Sequence, residues 1–145
     1  MKSIILYISL FLGTFISIQG QQKNESIVTY AKTNLNQKID RGECWDLIAF
    51  ALNDAKANWN APFEFGKVIK SDYLPGDIIR FENVKFESEN GYMTFPEHYA
   101  ILYEVKDKNK IVIAHQNHNN KRVVQLLDLN LSEKVKGKIT FYRAQ

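Results

Sequence analysis

The hydrophobic pattern of this chain changes once, from a helical spacing near the N-terminus to strand-like segments in the rest of the sequence. Between Cys44 and Ala55 the apolar residues recur every three or four positions, which places them on one face of a helix. A shorter helical pattern starts behind Ser26, the expected N-cap, and ends near Gln37. Both helices precede the strand-like segments, and this order predicts an α+β domain.

From Asp77 onward the chain is rich in β-branched and aromatic residues, which are typical of strands. Short turns such as 107–109 join these segments, so neighbouring strands are expected to be antiparallel. The predicted strands are Ile78–Phe81, Tyr99–Val105, Lys110–Ala114, Val123–Leu127 and Ile139–Tyr142. The expected architecture is therefore a pair of N-terminal helices packed on an antiparallel sheet of about five strands.

Residues 1–20 are predicted to be a secretory signal peptide, and residues 21–145 a single domain. Lys2 supplies the positive charge, and the apolar stretch Ile4–Ile18 is shorter than the roughly 20 residues that usually span a bilayer. We expect cleavage near Gly20 and a protein that is secreted, periplasmic or at the cell surface, without stable membrane insertion. An uncleaved anchor is the alternative, because Ile18 lies where a small side chain is preferred.

The composition is that of an ordinary globular domain, with 45% hydrophobic and 24% charged residues in 145. The formal net charge is +3, and the basic residues are spread along the chain apart from the alternating Lys134, Lys136 and Lys138. That alternation is typical of the solvent face of a strand. We therefore expect no nucleic-acid partner, and we expect a monomer.

Cys44 is the single cysteine of the chain and the first candidate for chemistry. An odd cysteine in an exported protein is an intermolecular bridge, a buried inert thiol or a reactive thiol. A capping box of Asp40 with Glu43, or a cap at Gly42, places Cys44 in the first helical turn, where the helix dipole favours a thiolate. The position predicts a nucleophile, with a small buried side chain as the alternative.

A cysteine nucleophile needs a base that exchanges a proton near neutral pH, which is usually a histidine. His98 stands just before the apolar strand that starts at Tyr99 and follows the predicted loop from Tyr92 to Pro96. It is therefore expected at the mouth of the sheet. The alternative is a surface histidine without a catalytic task.

Four short segments, in this order, resemble the signatures of CHAP (cysteine, histidine-dependent amidohydrolase/peptidase) domains and their NlpC-type relatives. They are Gly42–Leu47, Leu74–Ile79, His98–Leu102 and Ala114–Asn117. The resemblance implies a papain-like fold with Cys44 as nucleophile, His98 as base and His115 at the third catalytic position. That third position is often Glu or Asn in CHAP domains and His in NlpC-type ones.

The third residue must bond the second imidazole nitrogen and hold the ring toward the sulfur. In a hairpin that pairs His98 with His115 the turn is centred between residues 106 and 107, whereas a tight turn at 108–109 places Asn119 opposite His98. The register is thus open by several residues. Asn117 is the second candidate, and Gln116 and His118 are expected to flank the site as solvent-facing residues.

The predicted function is hydrolysis of amide or peptide bonds by a cysteine hydrolase, with peptidoglycan as the expected substrate and other peptides or amides as alternatives. Cys44 attacks the carbonyl, His98 transfers the proton to the departing amine, and water hydrolyses the thioester. The backbone N–H of Cys44 is expected to stabilise the oxyanion. An exported papain-like binding module without turnover is the second hypothesis.

The remaining polar and aromatic candidates receive weaker assignments. Trp45 and Tyr92 are expected either to line a substrate groove or to pack in the interior. Asp77 is expected to serve the turn before its strand. No cofactor and no metal are expected, because His115 and His118 would point to opposite faces of a strand.

Overall fold

The computed structural model describes residues 20–145, and in this part of the chain two helices are followed by six strands. Helix α1 covers residues 20–33 and helix α2 covers Cys44–Asp54. The strands are β1 Lys67–Ile69, β2 Ile78–Ser88, β3 Gly91–Val105, β4 Lys110–His115, β5 Gln125–Asn130 and β6 Lys134–Arg143, with a 3-10 turn at Leu131–Glu133. The signal peptide predicted over residues 1–20 lies outside the described residues, apart from Gly20. Within residues 20–145, no helix combines the length and the apolar character that crossing a membrane requires.

The six strands form one antiparallel sheet in the order β1-β6-β2-β3-β4-β5, which confirms the predicted fold class. The additional strand is β1, whose three residues pair with the end of β6 through Lys67↔Arg143. So short and exposed a segment carries no periodic signal of its own, which is why the sequence pattern did not indicate it. Strands β2 and β3 are longer than predicted, because their hairpin continues to the Ser88↔Gly91 pair.

Each face of the sheet carries a separate core. Both helices pack against the first face, where Leu47 and Ile48 of α2 lie in one cluster with Tyr99 and Ile101 of β3. The second core lies on the opposite face. Its buried members are Ile79, Phe81, Val84, Phe86, Phe95, Ala100, Leu102, Ile111, Ile113, Leu129 and Phe141. Because side chains alternate along a strand, His98 points away from the face that Tyr99 occupies.

Helix α1 differs from its predicted bounds at both ends. It continues through Ser26, so the prediction that this residue is the N-cap is wrong. The upstream turn is stabilised by the buried Asn24, whose Nδ2 donates to the carbonyl of Pro75. The helix ends at residue 33 rather than near Gln37, because the chain then pairs with the β4–β5 connection through the Asn36 N–H and the Val124 carbonyl.

Helix α2 begins at Cys44, as its periodicity predicts, but its cap is different. The N-cap is Glu43, and the carboxylate of Asp46 accepts a hydrogen bond from the Glu43 backbone N–H at 3.0 Å. The predicted caps at Asp40 and Gly42 are therefore wrong. The capping interaction still places Cys44 at the first residue of the helix, beside the unpaired N–H groups of the first turn.

Candidate active site

Cys44 lies partly buried at the start of α2, where its side chain packs against the core between the helices and the sheet. Burial raises the pKa of its thiol, and the negative charge of Glu43 acts in the same direction. Backbone N–H groups of Tyr99 and Trp45 favour the thiolate, lower the pKa of the thiol and offset part of this effect. Burial is the largest of these effects, so the pKa of the thiol lies above its ordinary value, in the direction opposite to the one expected for a helix start.

His98 and His115 form a buried hydrogen-bonded pair on adjacent strands. The Nε2 atom of His98 lies 3.0 Å from the Nδ1 atom of His115, and the two rings are nearly perpendicular, at 84°. The side chains are only 5% and 2% exposed. The structure thus brings together the two histidines that the sequence assigned to base and orienting group.

The position of His98 along its strand differs from the prediction. It lies inside β3 rather than at its start, because the segment from Tyr92 to Pro96 is strand and not loop. The ring stacks on Phe95 with centroids 5.1 Å apart and lies 6.3 Å from the ring of Phe81. These aromatic contacts belong to the second core, so the extended hairpin is what encloses the imidazole.

The register of β3 and β4 explains how the two histidines meet. Ala100 pairs directly with His115, and His98 lies two residues earlier on the same face of β3. The imidazoles therefore make a diagonal contact across the ladder, within reach of long side chains. Both registers considered from the sequence were wrong by two residues, in opposite directions, and the ladder also shifts between Leu102 and Glu104, where an irregularity interrupts it.

Burial also controls the protonation of this pair. Desolvation lowers the pKa of His98 to about 3, with further lowering by His115 and His118. Desolvation, with a contribution from His118, lowers the pKa of His115 to about 4. Both rings are therefore neutral near pH 7, and one of the two facing nitrogens carries the shared proton. If it is Nε2 of His98, the Nδ1 atom of that ring is an unprotonated base.

The three polar residues after His115 do not all lie where the sequence placed them. Asn117 donates to the carboxylate of Glu43, so its side chain holds the N-cap of α2. Gln116 is 1% exposed and hydrogen-bonds the loop before α2, which contradicts its predicted solvent-facing position. His118 is half-buried, with its ring 4.9 Å from that of Phe95.

A metal site is not formed by these side chains. In residues 20–145 no group of three or more His, Cys, Asp or Glu side chains is arranged to hold a metal ion.

Trp45 and Tyr92 lie in very different surroundings. Trp45 packs in an aromatic cluster, with its ring 5.6 Å from Phe65 and 5.5 Å from Tyr99. Tyr92 is 75% exposed near the tip of the β2–β3 hairpin, six residues or about 20 Å along β3 from His98. The structure therefore places Trp45, the neighbour of Cys44 in the chain, in a packing role and does not bring Tyr92 near His98.

Asp77 has the structural role expected for it. Its fully buried carboxylate accepts from the backbone N–H of Leu74 and from the side chain of Asn24. Arg143 binds both carboxylate oxygens at 2.9 and 2.8 Å. This network joins α1, the turn before β2 and the end of β6.

Solved structures share the fold of the chain. A crystal structure of Ly7917, and another of Ly7917 with the hydrolyzing product of MDP, each superpose with a TM-score of 0.56 at 13% sequence identity. The match covers 83% of this chain and 62% of the Ly7917 chain. At this identity the comparison shows a common fold, which is the papain-like fold expected from the sequence.

A curated relative corrects the predicted localisation. The chain is 23% identical over 144 residues to Altered inheritance of mitochondria protein 3 of the yeast Debaryomyces hansenii, and the match covers 82% of this chain. The chain spans only 15% of the length of that relative. The predicted secreted, periplasmic or cell-surface localisation is contradicted, because this relative is a yeast protein named for the inheritance of mitochondria.

The family comparison also corrects the resemblance found in the sequence. Residues 19–145 match the model of the AIM3/BBC1 cysteine proteinase-fold domain. The papain-like part of the resemblance is confirmed, whereas the narrower assignment to CHAP or NlpC-type domains is not supported. The chain belongs to the AIM3/BBC1 cysteine proteinase-fold domain family.

Proposed function

We propose that this chain is a cysteine hydrolase of amide or peptide bonds, with Cys44 as nucleophile, His98 as general base and His115 as orienting residue. The observation that carries the proposal is the buried 3.0 Å hydrogen bond between His98 and His115 on neighbouring strands, beside Tyr99, whose backbone N–H lowers the pKa of the Cys44 thiol. Two histidine rings held in this way have one defined orientation, which is what a general base requires.

The position of the thiol relative to His98 follows from the backbone. The backbone N–H of Tyr99, the residue that directly follows His98, lowers the pKa of the Cys44 thiol. The Nε2 atom of His98 is occupied by His115, so the free nitrogen is Nδ1, the one closer to the His98 backbone. In the proposed mechanism this free nitrogen is the atom that accepts the thiol proton.

The protonation states favour a concerted first step. Burial raises the pKa of Cys44 and lowers that of His98 to about 3, so the resting pair is a neutral thiol and a neutral imidazole. The thiol proton moves to Nδ1 of His98 as the S–C bond forms, and His98 then donates this proton to the departing amine. Water hydrolyses the thioester, with His98 again accepting a proton. The backbone N–H of Cys44, at the start of α2, is the proposed donor to the oxyanion.

The proposed substrates are peptides or simple amides, with peptidoglycan fragments as one class to test. Ly7917, which shares the fold, has been crystallised with the hydrolyzing product of MDP, and MDP is therefore a suitable first substrate. The low identity means that the substrate of Ly7917 is a starting point for the test and not an assignment.

The experiment is a comparison of the full-length chain with Cys44→Ala and His98→Ala variants on MDP, peptidoglycan fragments and a mixed peptide library, with products identified by mass spectrometry. Both variants should lose hydrolysis, by roughly 10²-fold or more, because nucleophile and base are each required. Circular dichroism checks that the variants remain folded. Hydrolysis at the wild-type rate by folded Cys44→Ala would refute the proposal.

The second candidate function is a papain-like binding module without turnover. The raised pKa of Cys44 and the neutral His98 favour it, because a binding module without turnover does not require Cys44 as a thiolate. The two candidates differ in how Cys44 reacts with iodoacetamide near pH 7. In the hydrolase, His98→Phe should slow alkylation several-fold through loss of the base, whereas in an idle module the rate should be unchanged.

A further inference from the structure

The side-chain amide of Gln116 forms a buried clamp on the loop that leads into α2. Its Oε1 atom accepts from the Ile39 backbone N–H at 2.8 Å, and its Nε2 atom donates to the Ile39 carbonyl at 3.2 Å. The same Nε2 atom donates to the carbonyl of Glu43 at 2.8 Å. All three partners are backbone groups of residues 39–43, so the amide defines the path of the main chain up to the N-cap.

Neighbouring residues extend this clamp. The Glu43 carboxylate accepts from Asn117 and forms an ion pair with Arg122 at 3.0 Å. Farther back, the Val124 backbone N–H donates to the Gln37 carbonyl at 2.9 Å. The segment from residue 116 to residue 124 thus holds the segment 36–43 along its length.

The place of Gln116 in the chain connects the clamp with the imidazole pair. Gln116 directly follows His115, whose ring bonds His98. Consecutive residues at the end of a strand point to opposite faces. His115 therefore contacts His98 in the second core, while Gln116 reaches across to the loop that ends at Glu43 and delivers Cys44.

We propose that Gln116 is a positioning residue, which holds the start of α2 so that Cys44 stays beside Tyr99, the residue that follows His98. One end of β4 then supplies both the residue that orients the base and the residue that orients the nucleophile. Because Cys44 and His98 act together only in the proposed hydrolase, the positioning role depends on that function. A displacement of about 1 Å between reacting groups costs roughly 10²-fold in rate, so a clamp at this point is consequential.

The test compares the full-length wild type with Gln116→Met, which keeps the side-chain volume and removes the three hydrogen bonds. The readouts are hydrolysis and the pH profile of Cys44 alkylation by iodoacetamide. Hydrolysis should fall by roughly tenfold or more. The alkylation midpoint should move to lower pH, because burial is the largest cause of the raised thiol pKa and a released helix start exposes the sulfur. Gln116→Glu keeps the acceptor for Ile39 but turns a buried oxygen toward the carbonyls of Ile39 and Glu43, so it should give changes at least as large.

Asn24→Ala is the matched control, since Asn24 is also a buried amide but holds Pro75 and Asp77 instead. It should lower the free energy of unfolding and leave the alkylation midpoint of Cys44 unchanged. Equal midpoints in wild type and both folded Gln116 variants would overturn the positioning role, as would an equal shift in Asn24→Ala.

Two further outcomes keep the test decisive. If the Gln116 variants do not fold, the exchange rate of the Ile39 backbone amide proton is measured in the wild type instead. Exchange as fast as that of an exposed loop amide would overturn the clamp. If the wild type hydrolyses nothing while Gln116→Met shifts the alkylation midpoint, the proposed function fails and the clamp on Cys44 is retained.

Discussion

The Nε2 atom of His98 and the Nδ1 atom of His115 lie 3.0 Å apart across two antiparallel strands, in a diagonal rather than a direct pair. The directly paired residue is Ala100, whose small side chain leaves the space over which the two rings meet. This contact decides which nitrogen of His98 remains free for chemistry. The first prediction concerns it directly.

His115→Ala should lower hydrolysis by roughly 10²-fold, because the His98 ring loses the partner that selects its tautomer and orientation. His115→Asn keeps a hydrogen-bonding side chain and should retain more activity than His115→Ala. His118→Ala separates the hydrogen bond from the surrounding contacts, because the His118 ring lies 5.3 Å from that of His115 but takes no part in the hydrogen bond between His98 and His115. A steady-state measurement of kcat and KM on one substrate distinguishes the variants. Equal kcat in His115→Ala and wild type would contradict the orienting role.

The free energy of unfolding should decrease as pH falls from about 6.5 toward 5. The folded-state pKa values of His98 and His115, about 3 and about 4, lie below the ordinary value of 6.5, so the unfolded chain binds more protons in this range. Each excess proton contributes a slope of up to about 1.4 kcal/mol per pH unit. Urea unfolding at several pH values measures this slope.

A double variant, His98→Gln with His115→Gln, serves as the control for that slope. It should show a much flatter pH dependence between about 6.5 and 5, because it lacks both buried imidazoles. Below this range the carboxylate of Asp46, whose pKa the nearby Arg41 lowers against the effect of burial, adds its own loss of stability in wild type and variant alike. Identical slopes in the two proteins would show that the histidines ionise freely in the folded state.

Asp77→Ala should destabilise the fold by about 3 kcal/mol or more, because it leaves Arg143 and Asn24 without their buried carboxylate partner. The matched control is Asp107→Ala, which removes an exposed turn carboxylate that accepts the backbone N–H groups of Asn109 and Lys110. We expect that control to cost less than about 1 kcal/mol. Urea unfolding at pH 7 compares the two variants. Equal decreases in their free energies of unfolding would contradict the stabilising role of the buried Asp77 carboxylate.

Gly76→Ala should destabilise the protein more than Gly91→Ala. Both glycines have positive φ, +91° and +135°, so both substitutions strain the backbone, at a cost of about 1 to 3 kcal/mol. A Cβ on Gly76 would lie 2.3 Å from the carbonyl oxygen of Asn24, whereas a Cβ on Gly91 meets nothing within 4 Å. The difference in thermal unfolding temperature between the Gly76→Ala and Gly91→Ala variants measures the effect of the steric contact with α1. Equal temperatures would show that the contact relaxes without cost.

Several features follow from local patterns and were therefore predictable. The start of α2 at Cys44 follows from the spacing of its apolar residues, because that spacing holds for any helix that buries one face. The antiparallel sheet follows from β-branched segments joined by short turns, such as the one whose Asp107 side chain accepts backbone hydrogen bonds. Cys44 and His98 are candidates because of their residue types and their positions at the start of a predicted helix and just before a predicted strand. The family resemblance adds His115 as the third catalytic residue.

Other features depend on contacts that the local sequence does not contain. The N-cap at Glu43 is stabilised by Asn117 and Arg122, which lie more than seventy residues downstream. The segment before His98 contains Gly91 and Pro96 and reads as a loop, but its partner strand β2 continues alongside it and makes it β3. The burial of Gln116 likewise requires the loop at Ile39 as its partner.

The amino-acid sequence by itself determined the order of helices and strands and the residue types available for chemistry, since periodicity and propensity are properties of short segments. Only the tertiary structure decided the strand register, the buried surroundings of the two histidines and the resulting protonation of His98 and Cys44. The physical reason is that register and desolvation arise from the sum of many contacts between distant segments, and no single segment carries that sum.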